Sequence, residues 1–194
     1  MHLIPAFALI TAAAAVLAAP TTDVAGGAIK NFIINGSGCP PGSITTSFNA
    51  DRSSVTATFS EFTPSVSTTS FRQNCQATIE ISVPAGKKFT VDKVTYDGFV
   101  QLTPKVSVIH ESTYYFQGQI NQKTASDTVQ GPKTSSVDLS NTFSGQTPIW
   151  SQCGATSVIV NIDISVWLKD MSNYADGFAS VDSAKFGPFA FQNC

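Results

Sequence analysis

Cys153 to Lys169, CGATSVIVNIDISVWLK, is the stretch whose reading decides the fold. Val158, Val160, Ile162, Ile164, Val166 and Leu168 recur at spacing two, which lays one continuous apolar face along a strand. The opposite face carries Ser157, Ile159, Asn161, Asp163, Ser165 and Trp167, a mostly polar row that ends in a large aromatic. On a helix, with about 3.6 residues per turn, the six apolar side chains would point all round the axis, so a helix is excluded.

The rest of the chain repeats this pattern. Ile29 to Ile34 reads as an edge strand. Ile44, Thr46 and Phe48 alternate before Asn49-Ala50-Asp51, and Val55, Ala57 and Phe59 alternate after it, which predicts a hairpin. A Ser/Thr-rich loop follows from Thr63 to Ser70. Ala77, Ile79, Ile81 and Val83 then form one face of a strand stopped by Pro84-Ala85-Gly86. From Lys87 to Leu102 the alternation changes phase at Asp92-Lys93, as a β-bulge would make it, and Asp97-Gly98 reads as a turn. Val106 to Phe116 is a further strand, Asn121 to Ser136 a polar loop or ragged edge, and Gly177 to Phe186 and Phe189 to Phe191 close the chain. Ten or so short strands and no helical periodicity predict an all-β, two-sheet antiparallel β-sandwich, jelly-roll-like in one variant.

The first residues belong to targeting. An apolar run reaches Val16-Leu17-Ala18-Ala19-Pro20, and its small residues fit a signal peptide, 1–18, cleaved after Ala18, although the run has no Lys or Arg before it. It is short for a membrane span, which needs about 20 apolar residues, and no later run is longer. The expected product is a single secreted, extracellular domain, 19–194, soluble and free of the membrane once the signal is removed. The formal net charge of −2, with few charged residues, offers no basic stripe for phosphates, so nucleic acid is not an expected partner.

Cys39, Cys75, Cys153 and Cys194 make an even count in a secreted chain, which predicts two disulfides. Zinc would want closely paired cysteines, and the nearest two here are Cys39 and Cys75. Of the three connectivities, Cys39–Cys194 with Cys75–Cys153 is the expected one, because it ties the two chain ends together.

The landmarks Gly36-Ser37-Gly38-Cys39-Pro40, Arg72-Gln73-Asn74-Cys75-Gln76, Val83-Pro84-Ala85-Gly86 and Val94-Thr95-Tyr96-Asp97-Gly98-Phe99 stand in this order. Tyr114-Tyr115-Phe116-Gln117-Gly118, Gly131-Pro132, Ser151-Gln152-Cys153-Gly154 and the terminal Cys194 follow them. Together they resemble the small secreted fungal proteins of the domain-of-unknown-function 4360 family, from about Ile29 to Cys194. The resemblance implies a secreted fungal β protein with cysteines and carries over no catalytic or binding residue. Asp97 stands where that family would lead one to expect another residue type, often basic.

Chemistry is sparsely marked. His110 is the one histidine after the leader, which removes metal centres and brace sites that need several imidazoles, and no G-x-S-x-G accompanies it. A satisfied or solvent-facing role is the favoured reading of His110. Glycoside hydrolysis needs only two carboxylates, about 5–10 Å apart, and Glu80, Asp163 and Glu111 lie mid-strand on polar faces. Binding is the more natural use of exposed aromatics: sugar C–H faces stack on Trp while Asn and Asp serve the hydroxyls. Asn161, Asp163 and Trp167 have that composition on one strand face, with Trp150, Tyr96 and Tyr114 as possible companions. Asn35-Gly36-Ser37 is the one glycosylation sequon, at Asn35, and Asp170, Asp176 and Asp182 lack the spacing of a calcium loop, so no metal and no cofactor is expected. The reading is a monomeric, non-catalytic binding or interaction module whose partner is a polysaccharide or a host or cell-wall protein. A carboxylate-based glycoside hydrolase and a structural or effector-like protein are the alternatives.

Overall fold

The computed structural model describes residues 26–64, 71–170 and 176–194, so the expected signal segment and the larger part of the Thr63 to Ser70 loop lie outside the described residues. The strands are Ile29–Asn35 (β1), Ile44–Phe48 (β2), Val55–Phe59 (β3), Arg72–Ser82 (β4), Lys87–Thr90 (β5), Lys93–Leu102 (β6), Val106–Phe116 (β7), Gln122–Gln130 (β8), Lys133–Thr142 (β9), Ser157–Asp170 (β10), Gly177–Phe186 (β11) and Ala190–Asn193 (β12). They form two five-stranded antiparallel sheets, β1-β4-β10-β7-β8 and β2-β3-β11-β6-β9, and a two-stranded sheet, β12-β5. The fold is the two-sheet β-sandwich that the alternation predicts.

β10 is the middle strand of the first sheet, with a long apolar face turned to the core and a partner strand along each edge. Ser157 to Trp167 pairs with Ser82 to Arg72 on β4, and Val160 to Asp170 pairs with Phe116 to Val106 on β7. Val160, Ile162, Ile164 and Val166 are completely buried, each stabilising the fold by roughly 1.5–3 kcal/mol over exposure. Across the sandwich they meet the inner face of the second sheet, where Val55, Ala57, Val94, Val100, Val181 and Phe186 are buried in the same core. The small sheet closes one end with a cluster of rings: Phe89 packs on Phe116, Phe189 and Phe191 with centroids 5.3, 5.6 and 5.4 Å away.

Two local expectations are corrected and a third is resolved. Lys87 to Leu102 is not one bulged strand: the phase change at Asp92-Lys93 is where the chain leaves the small sheet (β5) and enters the second large sheet (β6). Asp97-Gly98 is not a turn but the middle of β6, and the bulge lies opposite it, between Val181 and Ser183 on β11. Glycine is required there by close approach, since a Cβ at Gly98 would stand 2.1 Å from the Ser180 carbonyl oxygen. Of the two readings of Asn121 to Ser136, polar loop or ragged edge, the structure gives the edge. The segment supplies β8 and the start of β9, the outer strands of the two sheets, and its polarity reflects edge positions that face water on more than one side.

The disulfide pairing is also corrected: the bonds are Cys39–Cys75 and Cys153–Cys194. β1 runs antiparallel beside β4 with Asn35 opposite Gln76, and the Gly38 N–H donates to the Asn74 carbonyl at 3.0 Å, which carries Cys39 to Cys75. Cys75 lies opposite Ile164, and from there back to Ser157 β10 runs for roughly 23 Å, so Cys153 is out of its reach. Instead both remaining cysteines are brought to β5. The Ser151 N–H donates to the Phe89 carbonyl, and the Cys194 N–H donates to the Gly86 carbonyl.

Candidate functional site

The outer face of the first sheet is where side chains of chemical interest converge. On β10 it carries Ile159, Asn161, Asp163, Ser165 and Trp167. The register sets these against Glu80, Thr78, Gln76, Asn74 and Arg72 on β4, and sets Asn161 to Trp167 against Tyr115, Thr113, Glu111 and Ile109 on β7. Hydrogen bonds knit the face across the strands. Thr78 Oγ1 donates to Asn161 Oδ1 at 2.8 Å, Asn74 Nδ2 to Asp163 Oδ2 at 3.1 Å, and Ser165 Oγ to Asp163 Oδ1 at 2.9 Å. An Arg72 guanidinium nitrogen donates to Ser165 Oγ at 3.3 Å, and the guanidinium carbon stands 4.6 Å from the centre of the Trp167 ring. Such an arrangement holds amides, hydroxyls and a carboxylate at fixed positions before any ligand arrives.

The three predicted residues do share this face, but unequally. Asn161 is only 8% exposed, Asp163 and Trp167 are half-buried, and one side of the indole is taken by Arg72. Asn161 therefore fixes its neighbours more than it offers itself. The companions named from sequence do not join them. Tyr96 and Tyr114 point into the core, and Trp150 belongs to the Pro148–Ser151 segment beside β5, where Lys88 sits over its ring at 5.3 Å. Arg72 and Asn74 escape the sequence reading because the apolar alternation on β4 starts only at Ala77. Arg72, Asn74, Gln76, Thr78 and Glu80 are a polar series at spacing two, a signal that the strand begins at Arg72.

The carboxylates separate. Glu80 stands opposite Ile159 and Asp163 opposite Gln76, four residues apart along the ladder, about 13 Å. Each is also held away from the other, Glu80 by Ser157 Oγ at 2.7 Å and Asp163 by Asn74 and Ser165. Glu111, by contrast, is a diagonal neighbour of Asp163, opposite Ser165 where Asp163 is opposite Thr113.

His110 is neither satisfied nor solvent-facing, contrary to expectation. It lies on the inner face of β7, 1% exposed, and neither ring nitrogen has a hydrogen-bond partner among the described residues. Burial lowers its pKa from 6.5 to about 4, against a smaller opposing pull from Asp127 on β8. Around it lies a polar seam inside the sandwich: the Tyr96 hydroxyl bonds Ser112 Oγ, Ser112 Oγ donates to Asn141 Oδ1 at 2.8 Å, and Asn141 Nδ2 donates to the His110 carbonyl at 3.2 Å. Burial raises the Tyr96 and Tyr114 hydroxyl pKa values, so both remain protonated donors.

At the far end of β10 a cleft of about 350 Å³ is lined by Phe116, Gln117, Gln119, Gln152, Ser157 and Ile159, among others. A second, of about 230 Å³, lies beside Tyr114, Phe143 and Trp150.

Fold and site thus define a disulfide-bonded all-β domain with one broad, hydrogen-bonded polar face. The profile of the family described as Domain of unknown function (DUF4360) matches residues 26–194, and the chain belongs to that family. It is 34% identical over 159 residues to an uncharacterized secreted protein of Arthroderma benhamiae, across 80% of this chain and 64% of the relative. Like that relative, this chain is secreted. Among solved structures it is similar to TmCBM61 in complex with beta-1,4-galactotriose (11% identity, 87% of this chain and 92% of that one, TM-score 0.28). It is also similar to a family 11 carbohydrate-binding module from Clostridium thermocellum in complex with a mixed-linked tetrasaccharide (10%, 83% and 95%, TM-score 0.26).

Proposed function

We propose that the protein is a non-catalytic binding module that holds a polysaccharide, of the cell wall or of a host surface, on the outer face of the first sheet. The observation that carries this reading is the cross-strand ladder from Arg72 through Ser165, Asp163 and Asn74 to Thr78 and Asn161, with Trp167 at one end. Neutral amides and hydroxyls interleaved with one carboxylate suit a polyhydroxylated, uncharged ligand, and the partly exposed indole edge offers apolar contact to sugar C–H groups. In this reading Asp163 and Trp167 touch the ligand, and Asn161 positions Thr78 beside them. The domain works as a monomer, residues 19–194, after removal of residues 1–18. Asn35, exposed on the edge strand β1, carries the glycan.

Depletion from solution by insoluble polysaccharides, together with a glycan array, tests it. Trp167→Ala and Asp163→Ala are expected to weaken retention at least tenfold, and Thr58→Ala, on the other sheet, to leave it unchanged. Retention equal in all three proteins, or none in the wild type, would overturn the reading.

One observation favours a second reading. Glu111 and Asp163 are diagonal neighbours, with Cα atoms on the scale of about 7–8 Å, a spacing compatible with paired glycosidase carboxylates. Release of reducing ends, abolished in Glu111→Gln, would support hydrolysis in place of binding alone.

A further inference from the structure

The larger cleft is formed where the β7–β8 turn and the loop before β10 meet at one end of the first sheet. Its supports are rigid. The Gln117 N–H donates to the Ile159 carbonyl at 3.0 Å, and Gln152 directly precedes Cys153, which is bonded to Cys194. Two of its polar side chains are occupied: Gln119 Nε2 donates to the Trp150 carbonyl at 3.2 Å and Ser157 Oγ to Glu80. The side-chain amides of Gln117 and Gln152 are exposed and make no hydrogen bond to the described residues. No Lys, Arg, Asp or Glu lines the cleft, and Phe116, Val158 and Ile159 supply apolar surface.

We propose that this cleft is a second subsite, specific for a short neutral saccharide, which rests on the reading of the adjoining face as a carbohydrate platform. The chemistry follows from the lining. A charged ligand would shed water without meeting a countercharge, whereas each free glutamine amide both donates to and accepts from hydroxyls. Apolar side chains below the amides match the C–H surface of a sugar ring. A volume near 350 Å³ is at the small end of the range of about 300–1,000 Å³ for ligand pockets, so one short saccharide fills it. Ser157 and Ile159 belong both to the cleft and to the polar face, so a longer chain lying on the face could extend a residue into it.

Calorimetric or NMR titration of the secreted protein with cellobiose, laminaribiose, mannobiose and N,N′-diacetylchitobiose tests this, alongside retention on insoluble polysaccharide. At least one disaccharide is expected to bind saturably, with affinity reduced at least tenfold in the double variant Gln117→Ala/Gln152→Ala and within twofold of wild type in Thr58→Ala, on the other sheet. If no disaccharide binds while polymer retention depends on Trp167, the subsite is refuted and the platform stands. Disaccharide binding insensitive to the double substitution also refutes the subsite. If neither disaccharides nor polymers bind, both readings fall. Both glutamines are exposed, so unchanged thermal unfolding of the double variant is the check that the fold is intact.

Discussion

His110 shows how much one residue can depend on its surroundings. Its even position in the alternation of β7 places it among inward residues, as Val106, Val108 and Tyr114 already indicate. What could not be read is that no donor or acceptor from the facing elements reaches its ring. A buried, unpartnered imidazole is held neutral, with a pKa of about 4 in the fold against 6.5 when unfolded. Asp127 on β8 pulls the other way, and the Tyr96 ring on β6 faces it at 5.6 Å. The sign follows from proton binding: between these two values the unfolded chain binds more protons, so stability is whole above about pH 6.5 and is lost as pH falls toward 4. The loss attributable to this group is roughly 3 kcal/mol. Thermal unfolding from pH 4 to 7 is expected to show it, and His110→Phe to flatten that part of the curve. Parallel curves for the two proteins would contradict the assignment.

At the scale of elements, periodicity located the strands well and misread their junctions. Phase changes look alike in a linear sequence whether the strand bulges or ends, and only the pairing of β5 with β12 and of β6 with β11 separates the two cases. Gly98 is the same lesson: Asp-Gly is a strong turn signal in isolation, but here the glycine admits the bulged backbone of β11. Gly98→Ala would drive a Cβ against the Ser180 carbonyl, and we expect a destabilisation of about 2 kcal/mol or more, read from urea unfolding. A loss below about 0.5 kcal/mol would mean that the bulge relaxes freely. The candidate site divides similarly. The β10 row is legible because its inner face is so regular, while Arg72 and Asn74 emerge only from the pairing of β4 with β10 from Ser157 to Trp167.

For the whole molecule, the two disulfides each close a loop of moderate length within one region of the fold, 36 and 41 residues apart in sequence. The first ties the edge strand β1 to β4, and the second ties the last residue to the loop before β10. By the chain-entropy model each contributes about 4 kcal/mol. Replacing both Cys39 and Cys75 by Ser is expected to lower the unfolding free energy by that amount and leave the remaining bond in place. A non-reduced tryptic digest that linked Cys39 to Cys194 would contradict this topology.

The sequence by itself determined the strands that carry a regular apolar face, because alternation at spacing two is a property of neighbouring residues and needs no knowledge of partners. It also determined the class of fold, and the family landmarks along it, and it marked the Asn161, Asp163 and Trp167 row as a mostly polar face beside a buried one. Only the tertiary structure decided which cysteines meet, which aromatics stay in the core, and that Arg72 covers Trp167. Each of these depends on register between segments tens of residues apart, and register is set by the packing of all the strands at once.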